Sequence, residues 1–573
     1  MFNYQQWASE LLLLFAFTLN LALFLLPGFA AAVLVGSRRK VAPVYLVVLI
    51  VATTATLGYA SFWVFFASRL AGKAFTFLVY ALAFCSIARN YLRPELVRQT
   101  IRQIAFPFFL VWLAGVCYLS LFYLFGDPKH YEAGLADARF FEAAQPGDNI
   151  IPLIFAERIY NHEPLRPFCC GDWLSSDRPP LQTGIFLLEQ PLRLTGVGID
   201  YQLLGMTLQC LWVCGVWCLL TALGAPDCRI RQVIIILTCS GFFFYNSVYT
   251  WPKLLAAAYI LCALSIGFDV IRAACPVTGF QITLAALCGG LALMAHPGSV
   301  FSLPVFGLLL LRHRALFSLR QIRLALSIVV AFYLPWSAYQ KFVDPPGNRL
   351  LKMHLAGQHS VDGRSAWQSI TAAYHDHSWR EIFGFKLSNI ETLFGDNPLT
   401  AFVPISPHHK EVVSSRKAHH GWIWHSVGLL NVGWLGAIWL FFHRRNHSPA
   451  VPYSGWLLAG SILNLSVWSI ALFGPNGTGI VHSSYADIIL LSIGLCGYLF
   501  MLPAMAVFAV FALQIWSLMV IWVLFPPVES FAQGIAVELP FLISGSRALG
   551  ILTWIFTRAC FGCESSEQGC TFS

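Results

Sequence analysis

The stretch "LLLLFAFTLNLALFLLPGFAAAVLV" (residues 11–35) decides the fold class of this chain. A helix needs about 20 mostly apolar residues to cross a membrane, and this stretch exceeds that length without one charged side chain. It is longer than the apolar core of a cleavable signal peptide, and no Lys or Arg precedes it. We therefore expect a membrane-spanning helix that is retained.

The composition extends this prediction to the whole chain. Of 573 residues, 57% are hydrophobic and only 11% are charged, against about 25% charged in soluble domains. Apolar runs recur along the sequence and predict an all-α, multi-pass membrane protein with roughly 13–15 spans. The formal charge of +9 comes from basic residues in short loops, which indicates membrane topology and not nucleic-acid binding. The 16 cysteines lie mostly in apolar runs, where Cys behaves as a small hydrophobic residue and not as part of a disulfide framework.

Basic residues between the apolar runs predict the orientation of the chain. Five clusters fall on one side of the membrane, which we assign to the cytoplasm: Arg38 to Lys40, Arg89 to Arg102, Arg229 with Arg231, Arg312 to Arg323, and Arg444 with Arg445. Two long polar segments then lie outside: a first loop (residues 127–202) and a second loop (residues 341–424). They separate N-terminal helices (1–126), central helices (203–340) and C-terminal helices with a short cytoplasmic tail (425–573).

The first loop contains "DNIIPLIFAERIYNHEP" (residues 148–164). Its apolar positions predict an amphipathic helix that lies on the membrane surface, and Pro152 is tolerated in the first turn of such a helix. Asp148 would lie at or just before the helix N-terminus, where exposed backbone N–H groups favour a carboxylate. The residue therefore has two readings, a plain N-cap or a functional acid.

The same loop ends in "GDWLSSDRPPLQTG" (residues 171–184), which is unusually polar for this chain. Asp177 and Arg178 are adjacent, and a local ion pair is the simplest reading. Exposed pairs contribute only about 0–1 kcal/mol to stability, so stability explains them poorly. The alternative is contact with a substrate, with the paired prolines directing the chain back toward the membrane at Leu181.

These two stretches resemble the GT-C superfamily of glycosyltransferases, multi-spanning enzymes that use polyprenyl-phosphate sugars. Lipid A aminoarabinose transferase and the protein O-mannosyltransferases are examples. Asp148 matches the acid that opens the family's first large outer loop, "AERIYNHEP" matches its helix, and Asp177-Arg178-Pro179-Pro180-Leu181 matches its closing element. The stretch "FFFYNSVYTWPKLLAAAYILCAL" (residues 242–264) continues the resemblance, which covers roughly residues 105–340. Where many relatives have two adjacent acids, this chain has Asp148-Asn149.

The resemblance implies a GT-C-like helical bundle and transfer of a sugar from a polyprenyl-phosphate donor to an envelope glycan, lipid or protein, with inversion at the anomeric carbon. Asp148 would act as the base. Arg178 and Lys253, with Arg349 third, would stabilise the charge that develops on the phosphate. Asp177 and His296 complete the candidate substrate contacts.

Two of these residues have structural alternatives. Lys253, in "YTWPKLLAA", follows Trp251 at the outer end of a predicted span, and such a lysine can simply extend to the membrane interface beside an ordinary interfacial tryptophan. His296, in "LMAHPGS", can be a helix-end histidine. Charges inside membranes are costly, however, and are usually functional.

Histidines in the second loop raise the possibility of a divalent metal site. They are His375 and His377 beside Asp376, then His408-His409 and His419-His420. Adjacent histidines do not share one helix face, and no H-E-x-x-H motif occurs. We expect no metal from this spacing, although a divalent cofactor stays possible, and we expect this loop to cover the site.

Three functions remain open: a glycosyltransferase of the bacterial inner membrane with its site facing the periplasm, a transporter or flippase of a lipid-linked sugar, and a non-catalytic relative that binds polyprenyl lipids. Transporters place charges and broken helices near the bilayer midplane and often contain repeats. This chain places its charges between spans and has no internal repeat. The pattern therefore favours the enzyme, with membrane lipids, donor and acceptor as partners and no nucleic acid.

Overall fold

The computed structural model describes most of the chain. The described residues are 4–36, 41–91, 94–125, 147–168, 173–358, 360–395, 399, 423–442, 449–474, 484–524 and 537–567. The basic clusters at Arg38 to Lys40 and Arg444 with Arg445 lie outside them. The described residues fold into helices, joined by turns and by isolated bridges such as that between Phe125 and Val537.

The helices are numbered here in chain order. Four precede the first loop: α1 (Tyr4–Gly36), α2 (Pro43–Ala67), α3 (Arg69–Tyr91) and α4 (Pro94–Phe122). Two lie in the first loop: α5 (Ile151–Asn161) and α6 (Leu181–Glu189). Eight follow: α7 (Val197–Cys210), α8 (Trp212–Ala222), α9 (Asp227–Thr238), α10 (Gly241–Val248), α11 (Lys253–Ala273), α12 (Gly279–Ala295), α13 (Leu303–Arg312) and α14 (Leu319–Phe342).

The second loop and the C-terminal part complete the set. The second loop contains α15 (Arg349–Ala356), α16 (Ala366–His375) and α17 (Trp379–Phe394). The last helices are α18 (Ile423–Val427), α19 (Gly433–Phe442), α20 (Ser454–Ala471), α21 (Tyr485–Leu499), α22 (Ala504–Leu518) and α23 (Leu539–Glu567). A π-helical turn, Met519–Leu524, extends α22.

The prediction of an all-α, multi-pass membrane protein is confirmed. Within the described residues, 11 helices are long and apolar enough to cross a membrane, or 12 if α9 and α10, which meet at a 66° bend, form one span. Three shorter apolar helices accompany them. If these also enter the membrane, the number falls within the predicted range.

The return of the first loop toward the membrane differs in detail from the prediction. Helix α6 does begin at Leu181, but all nine of its residues are buried inside the protein. At 1.5 Å per residue it is too short to cross a bilayer. The next span begins only at Val197 and continues through α8 to Ala222, so α6 packs within the protein and is not part of a complete span.

Two glycines allow α6 to pack directly against α2. A Cβ atom on Gly184 would lie 2.3 Å from the carbonyl oxygen of Gly58, and one on Gly58 would lie 2.4 Å from the Ile185 side chain. Such distances are well inside van der Waals contact. This close approach fixes α6, and with it the Asp-Arg-Pro-Pro segment that directly precedes it.

Helix α5 forms where the sequence predicts it, but its apolar face meets protein instead of lipid. Ile151, Phe155 and Ile159 are buried, and the ring of Phe155 packs edge-on against Phe62 of α2 with centroids 5.2 Å apart. The helix therefore docks on α2 and is not a free surface helix. The sequence pattern cannot separate these outcomes because protein and lipid are equally apolar partners.

Two predictions concern the cysteines: that they behave as small hydrophobic residues, and that they do not form a disulfide framework. Most of those with free thiols in the described residues are buried among apolar side chains, as expected. Cys228, at the start of α9, is disulfide-bonded. Disulfides are rare in the cytosol, and the neighbouring Arg229 and Arg231 were assigned to that side, so the orientation of the chain stays a prediction.

Substituting Gly184 tests the α2–α6 contact. We expect Gly184→Ala to lower stability by about 1–3 kcal/mol, the usual cost of overpacking, because the new Cβ displaces the backbone of Gly58. The measurement is the free energy of unfolding in mixed micelles. Gly196→Ala is the matched control, since a Cβ at Gly196 meets nothing within 4 Å. Equal effects at the two positions would contradict the contact.

Candidate functional site

A buried ion pair joins the two ends of the described first loop. The guanidinium of Arg178 donates to the Asp148 carboxylate, and the two residues are only 6% and 3% exposed. Asp148 lies in the 3-10 turn that precedes α5, where the N-cap position is Ile150 and has no side-chain cap. The plain N-cap reading of Asp148 is therefore wrong, because its carboxylate pairs with Arg178 instead.

The neighbouring acid, Asp177, pairs with the second loop. Arg349 of α15 donates to its carboxylate at 2.9 Å, and the Leu174 N–H donates to the same oxygen at 2.9 Å. The backbone at Arg178 is extended, which directs consecutive side chains to opposite sides. The local Asp177–Arg178 ion pair considered from the sequence therefore does not form.

Trp173 links the two ion pairs. The guanidinium carbon of Arg178 lies 5.1 Å from its ring centroid, and that of Arg349 lies 4.9 Å away. Both distances are in the range of cation–π attraction. The ring holds two positive charges close together.

Burial shifts the pKa values of both Arg178 and Asp177. It lowers the pKa of Arg178 to about 10, which leaves the guanidinium charged at neutral pH. Burial also raises the pKa of Asp177, and the Leu174 N–H and Arg349 act against that rise. The net effect is a raised pKa of Asp177, because burial outweighs these two contacts.

Asp344 ties the start of the second loop to the first. Its carboxylate accepts from Arg166 at 2.6 Å, from the Ser175 hydroxyl at 2.6 Å and from the Ser176 N–H at 2.9 Å. Burial acts to raise the pKa of Asp344, but these hydrogen bonds outweigh it and the net pKa is lowered. Ser175 also bonds the Tyr339 hydroxyl at 2.6 Å.

The turn that begins at Asp344 places α15. Residues 344–347 form a turn, and α15 begins at Arg349 directly after it. Gly347 has φ +64°, and a Cβ there would lie 2.7 Å from the Gln340 carbonyl oxygen. A side chain at this position would therefore be both strained and obstructed.

Lys253 is buried beside this network. It is 2% exposed, and Trp251 is 1% exposed, so neither reaches the interface as the structural alternative required. Its ammonium lies 3.9 Å from the Trp251 ring centroid and 4.9 Å from that of Tyr485. No hydrogen-bond acceptor contacts it among the described residues. A lysine in the first turn of a helix also opposes the helix dipole, so this site favours an added anion.

His296 lies where α12 ends. Its Nδ1 accepts from the Gly298 N–H at 3.0 Å, so the ring caps the following turn, as the helix-end reading proposed. If the ring is neutral, its proton is then on Nε2, which can donate. His296 is close enough to Arg178 and Lys253 to interact electrostatically with both.

A cavity of about 630 Å³ adjoins these groups. Its polar end is lined by Asp177, Arg178 and His296, and α14 and α15 supply apolar walls that include Trp336 and Leu351. Leu351 is 50% exposed, and Tyr333 on the same wall is 48% exposed. The cavity thus joins a charged end to a side that opens at the protein surface.

The structure brings all six predicted site residues together. Asp177, Arg178 and His296 line the cavity, while Asp148 and Arg349 lie behind Arg178 and Asp177 as their partners. Lys253 lies close enough to Arg178 for electrostatic interaction. Buried atoms without a hydrogen-bond partner in the described residues remain in this group: Asp148 Oδ1, Arg178 Nε, Arg349 Nε and Lys253 Nζ.

Sequence reasoning missed Trp173, Asp344 and Tyr339. The Asp-Pro-Pro-Gly context of Asp344 indicates only a turn and carries no hint of the three partners of its carboxylate. Trp173 lies within the quoted motif, but nothing in the sequence places Arg349 beside it. Only the three-dimensional contact between the two loops reveals these roles.

The described residues contain no group of three or more His, Cys, Asp or Glu side chains that could hold a metal ion. His375 is exposed, and His377 contacts the Ala373 carbonyl at 2.8 Å. His408, His409, His419 and His420 lie outside the described residues.

The comparisons with known proteins add no family. No family model matches the chain, and no curated protein matches it either. The function is therefore inferred from the residues of the site.

Breaking the Asp148–Arg178 pair tests its role in the fold. We expect Arg178→Met to cost about 3–5 kcal/mol, because it leaves the Asp148 charge buried and unpaired. The double variant Asp148→Leu/Arg178→Met should recover much of that loss. The measurement is denaturant unfolding in mixed micelles.

Arg98→Met is the control, since Arg98 pairs with Glu95 at the surface and should change stability by only about 0–1 kcal/mol. Equal losses for Arg178→Met and Arg98→Met, or no recovery in the double variant, would contradict a buried pair.

Proposed function

We propose that this protein is a membrane glycosyltransferase that moves a sugar from a polyprenyl-phosphate donor to an acceptor outside the cytoplasm. The observation that carries the proposal is the cavity, whose charged end holds Arg178 and His296 and whose walls are apolar. A lipid phosphate needs both features in one site. The GT-C resemblance of the motifs that supply Asp148 and Arg178 is consistent with this assignment.

Arg178 and Lys253 as cations, and His296 as a hydrogen-bond donor through Nε2, would bind the donor phosphate. The three residues are buried and mutually close, and the ammonium of Lys253 has no hydrogen-bond acceptor among the described residues. An anion would relieve the repulsion between Arg178 and Lys253. Because Arg178 and Lys253 are buried, each would stabilise a developing negative charge more strongly than it would in bulk water.

Asp148 would act on the acceptor. Arg178 contacts Oδ2 of this carboxylate, while Oδ1 has no partner among the described residues and is the oxygen that would accept a proton. The acceptor oxygen or nitrogen forms a bond to the anomeric carbon as the bond from that carbon to the phosphate oxygen breaks. The acceptor proton passes to Asp148, and the lipid phosphate leaves with the bonding electrons. A single displacement of this kind inverts the anomeric centre.

An apolar groove would bind the polyprenyl chain. It has a volume of about 250 Å³, lies between helices α11 to α14, and shares Leu293 and Val300 with the cavity. Its described lining is almost entirely aliphatic and aromatic. The continuity favours a ligand with a phosphate at one end and a long apolar chain at the other.

The cellular setting follows from this proposal. The acceptor would be an envelope glycan, lipid or protein, and the site would face the periplasm of a bacterial inner membrane. A transporter or flippase is the main alternative, and a non-catalytic lipid-binding relative is the second. The experiment below separates all three.

The direct test is sugar transfer by the purified full-length chain in lipid nanodiscs. Labelled polyprenyl-phosphate sugars are the donors, and bacterial envelope lipids and glycans are the acceptors. We expect turnover by the native chain, and a loss of about 10²–10⁴-fold for Asp148→Asn with donor binding retained, as for removal of a general base.

Glu157→Gln is the matched control, because Glu157 is a half-buried carboxylate of α5 that accepts from Gln190 and makes no ion pair with Arg178. Equal turnover in Asp148→Asn and native protein would remove Asp148 as the base. Donor binding without turnover would favour the non-catalytic relative, and movement of intact donor across liposomes would favour the flippase.

Filling the groove tests the lipid site. Gly267 and Gly289 line the groove, and a Cβ there meets nothing closer than 3.7 Å. We expect Gly267→Leu or Gly289→Leu to weaken use of a long-chain donor by about tenfold, which corresponds to about two displaced CH₂ contacts at 0.8 kcal/mol each. A donor with a very short chain should be used normally.

Gly307→Leu on α13 is the control, since it also has open space but does not line the groove. The readout is kcat/KM as a function of chain length. The same loss with short and long donors would contradict a chain-binding groove.

A further inference from the structure

Two carboxylates are buried together at a second place, between α1, the end of α6 and the start of α7. Glu189 is 2% exposed and Asp200 is 3% exposed. They line a cavity of about 10 Å³, which is about the room that one water-sized particle needs, together with Asn20 of α1. Neither carboxylate lines the cavity described above.

The carboxylate of Glu189 lacks a partner. Neither of its oxygens has a hydrogen-bond partner among the described residues, although the side chain is almost fully buried. A buried ionised carboxylate without a partner is very costly. Its environment therefore requires a positive charge that the described residues do not supply through contact.

Asp200 is better satisfied. Thr195 donates to its Oδ1 at 3.1 Å, and Asn20 also hydrogen-bonds its side chain. Arg193 lies near enough to Asp200 and Glu157 to attract both. The charged group that acts most strongly on Glu189 is Asp200. The two carboxylates repel each other when both are ionised.

We propose that Glu189 and Asp200 bind one monovalent alkali cation, with Asn20 lining the site. The charged side chains that line this cavity are two carboxylates and Arg193, which leaves a single negative charge that one such ion balances. Carboxylate and amide oxygens are the ligands that hard cations prefer. The small cavity leaves no room for the bound waters that Mg²⁺ usually retains.

The ion would connect α1 to the two helices that follow the Asp-Arg-Pro-Pro segment. Glu189 ends α6, and Asp200 lies in the first turn of α7. Binding to the folded state alone stabilises a protein as the ligand concentration rises above Kd. Sodium should therefore stabilise this part of the protein whether or not the chain transfers sugar.

The test is the apparent melting temperature of the full-length chain in detergent, in chloride salts of sodium or choline at matched ionic strength. We expect the melting temperature to rise with each tenfold increase in sodium above Kd and not with choline, which is too large for the cavity. Radioactive sodium should bind to the purified protein in a saturable manner.

Glu189→Gln should abolish both effects, whereas Glu157→Gln should retain them, since Glu157 lies outside this cavity. Equal melting temperatures of the native chain in sodium and choline would overturn the proposal and indicate a proton shared by the two carboxyl groups. Stabilisation by Ca²⁺ but not by sodium would overturn it as well. The comparison of the melting temperature of the native chain in sodium and in choline tests the cation site even if Glu189→Gln does not fold.

Discussion

The buried ion pair between Asp148 and Arg178 is the contact around which the rest of the site is arranged. Its two residues are distant in sequence but must be together because neither charge can be buried alone. Once Arg178 turns toward Asp148, Asp177 faces the opposite side and pairs with Arg349. Trp173 then lies against both guanidinium groups. One pair thus sets the geometry of both loops.

Asp344 makes a second set of contacts between the first and second loops. It joins the turn before α15 to Ser175 and Arg166 in the first loop, so the two loops cannot move independently near the cavity. The result is a buried end of the cavity that holds Arg178, with Lys253 nearby, next to an apolar groove. Preorganised charge of this kind stabilises a transition state without reorganisation, which suits the displacement of a phosphate.

The sequence predicted the fold class well because apolar runs of about 20 residues have few alternatives to membrane helices. Asp148, Arg178, Lys253 and Arg349, which were chosen from the sequence, lie close together in the structure, and their functional roles stay predictions. The sequence did not predict which of them pair. The local pairing of Asp177 with Arg178 was wrong because an extended backbone separates neighbouring side chains.

Other features depended on tertiary packing that no local pattern encodes. The apolar face of α5 suits lipid or protein equally, and only the position of Phe62 decides between them. Lys253 had the pattern of an interfacial lysine, yet packing against Trp251 and Tyr485 buries it. Burial of a single residue is a property of the whole bundle, so its sequence neighbours could not reveal it.

The most direct measurement is photo-crosslinking of the full-length chain with a polyprenyl phosphate that carries a diazirine next to the phosphate. The account predicts labelling in the segment around Arg178 and in α15 near Leu351, abolished by an excess of unmodified polyprenyl phosphate. Labelling confined to other helices, or labelling that the competitor does not reduce, would contradict a lipid-phosphate site in this cavity.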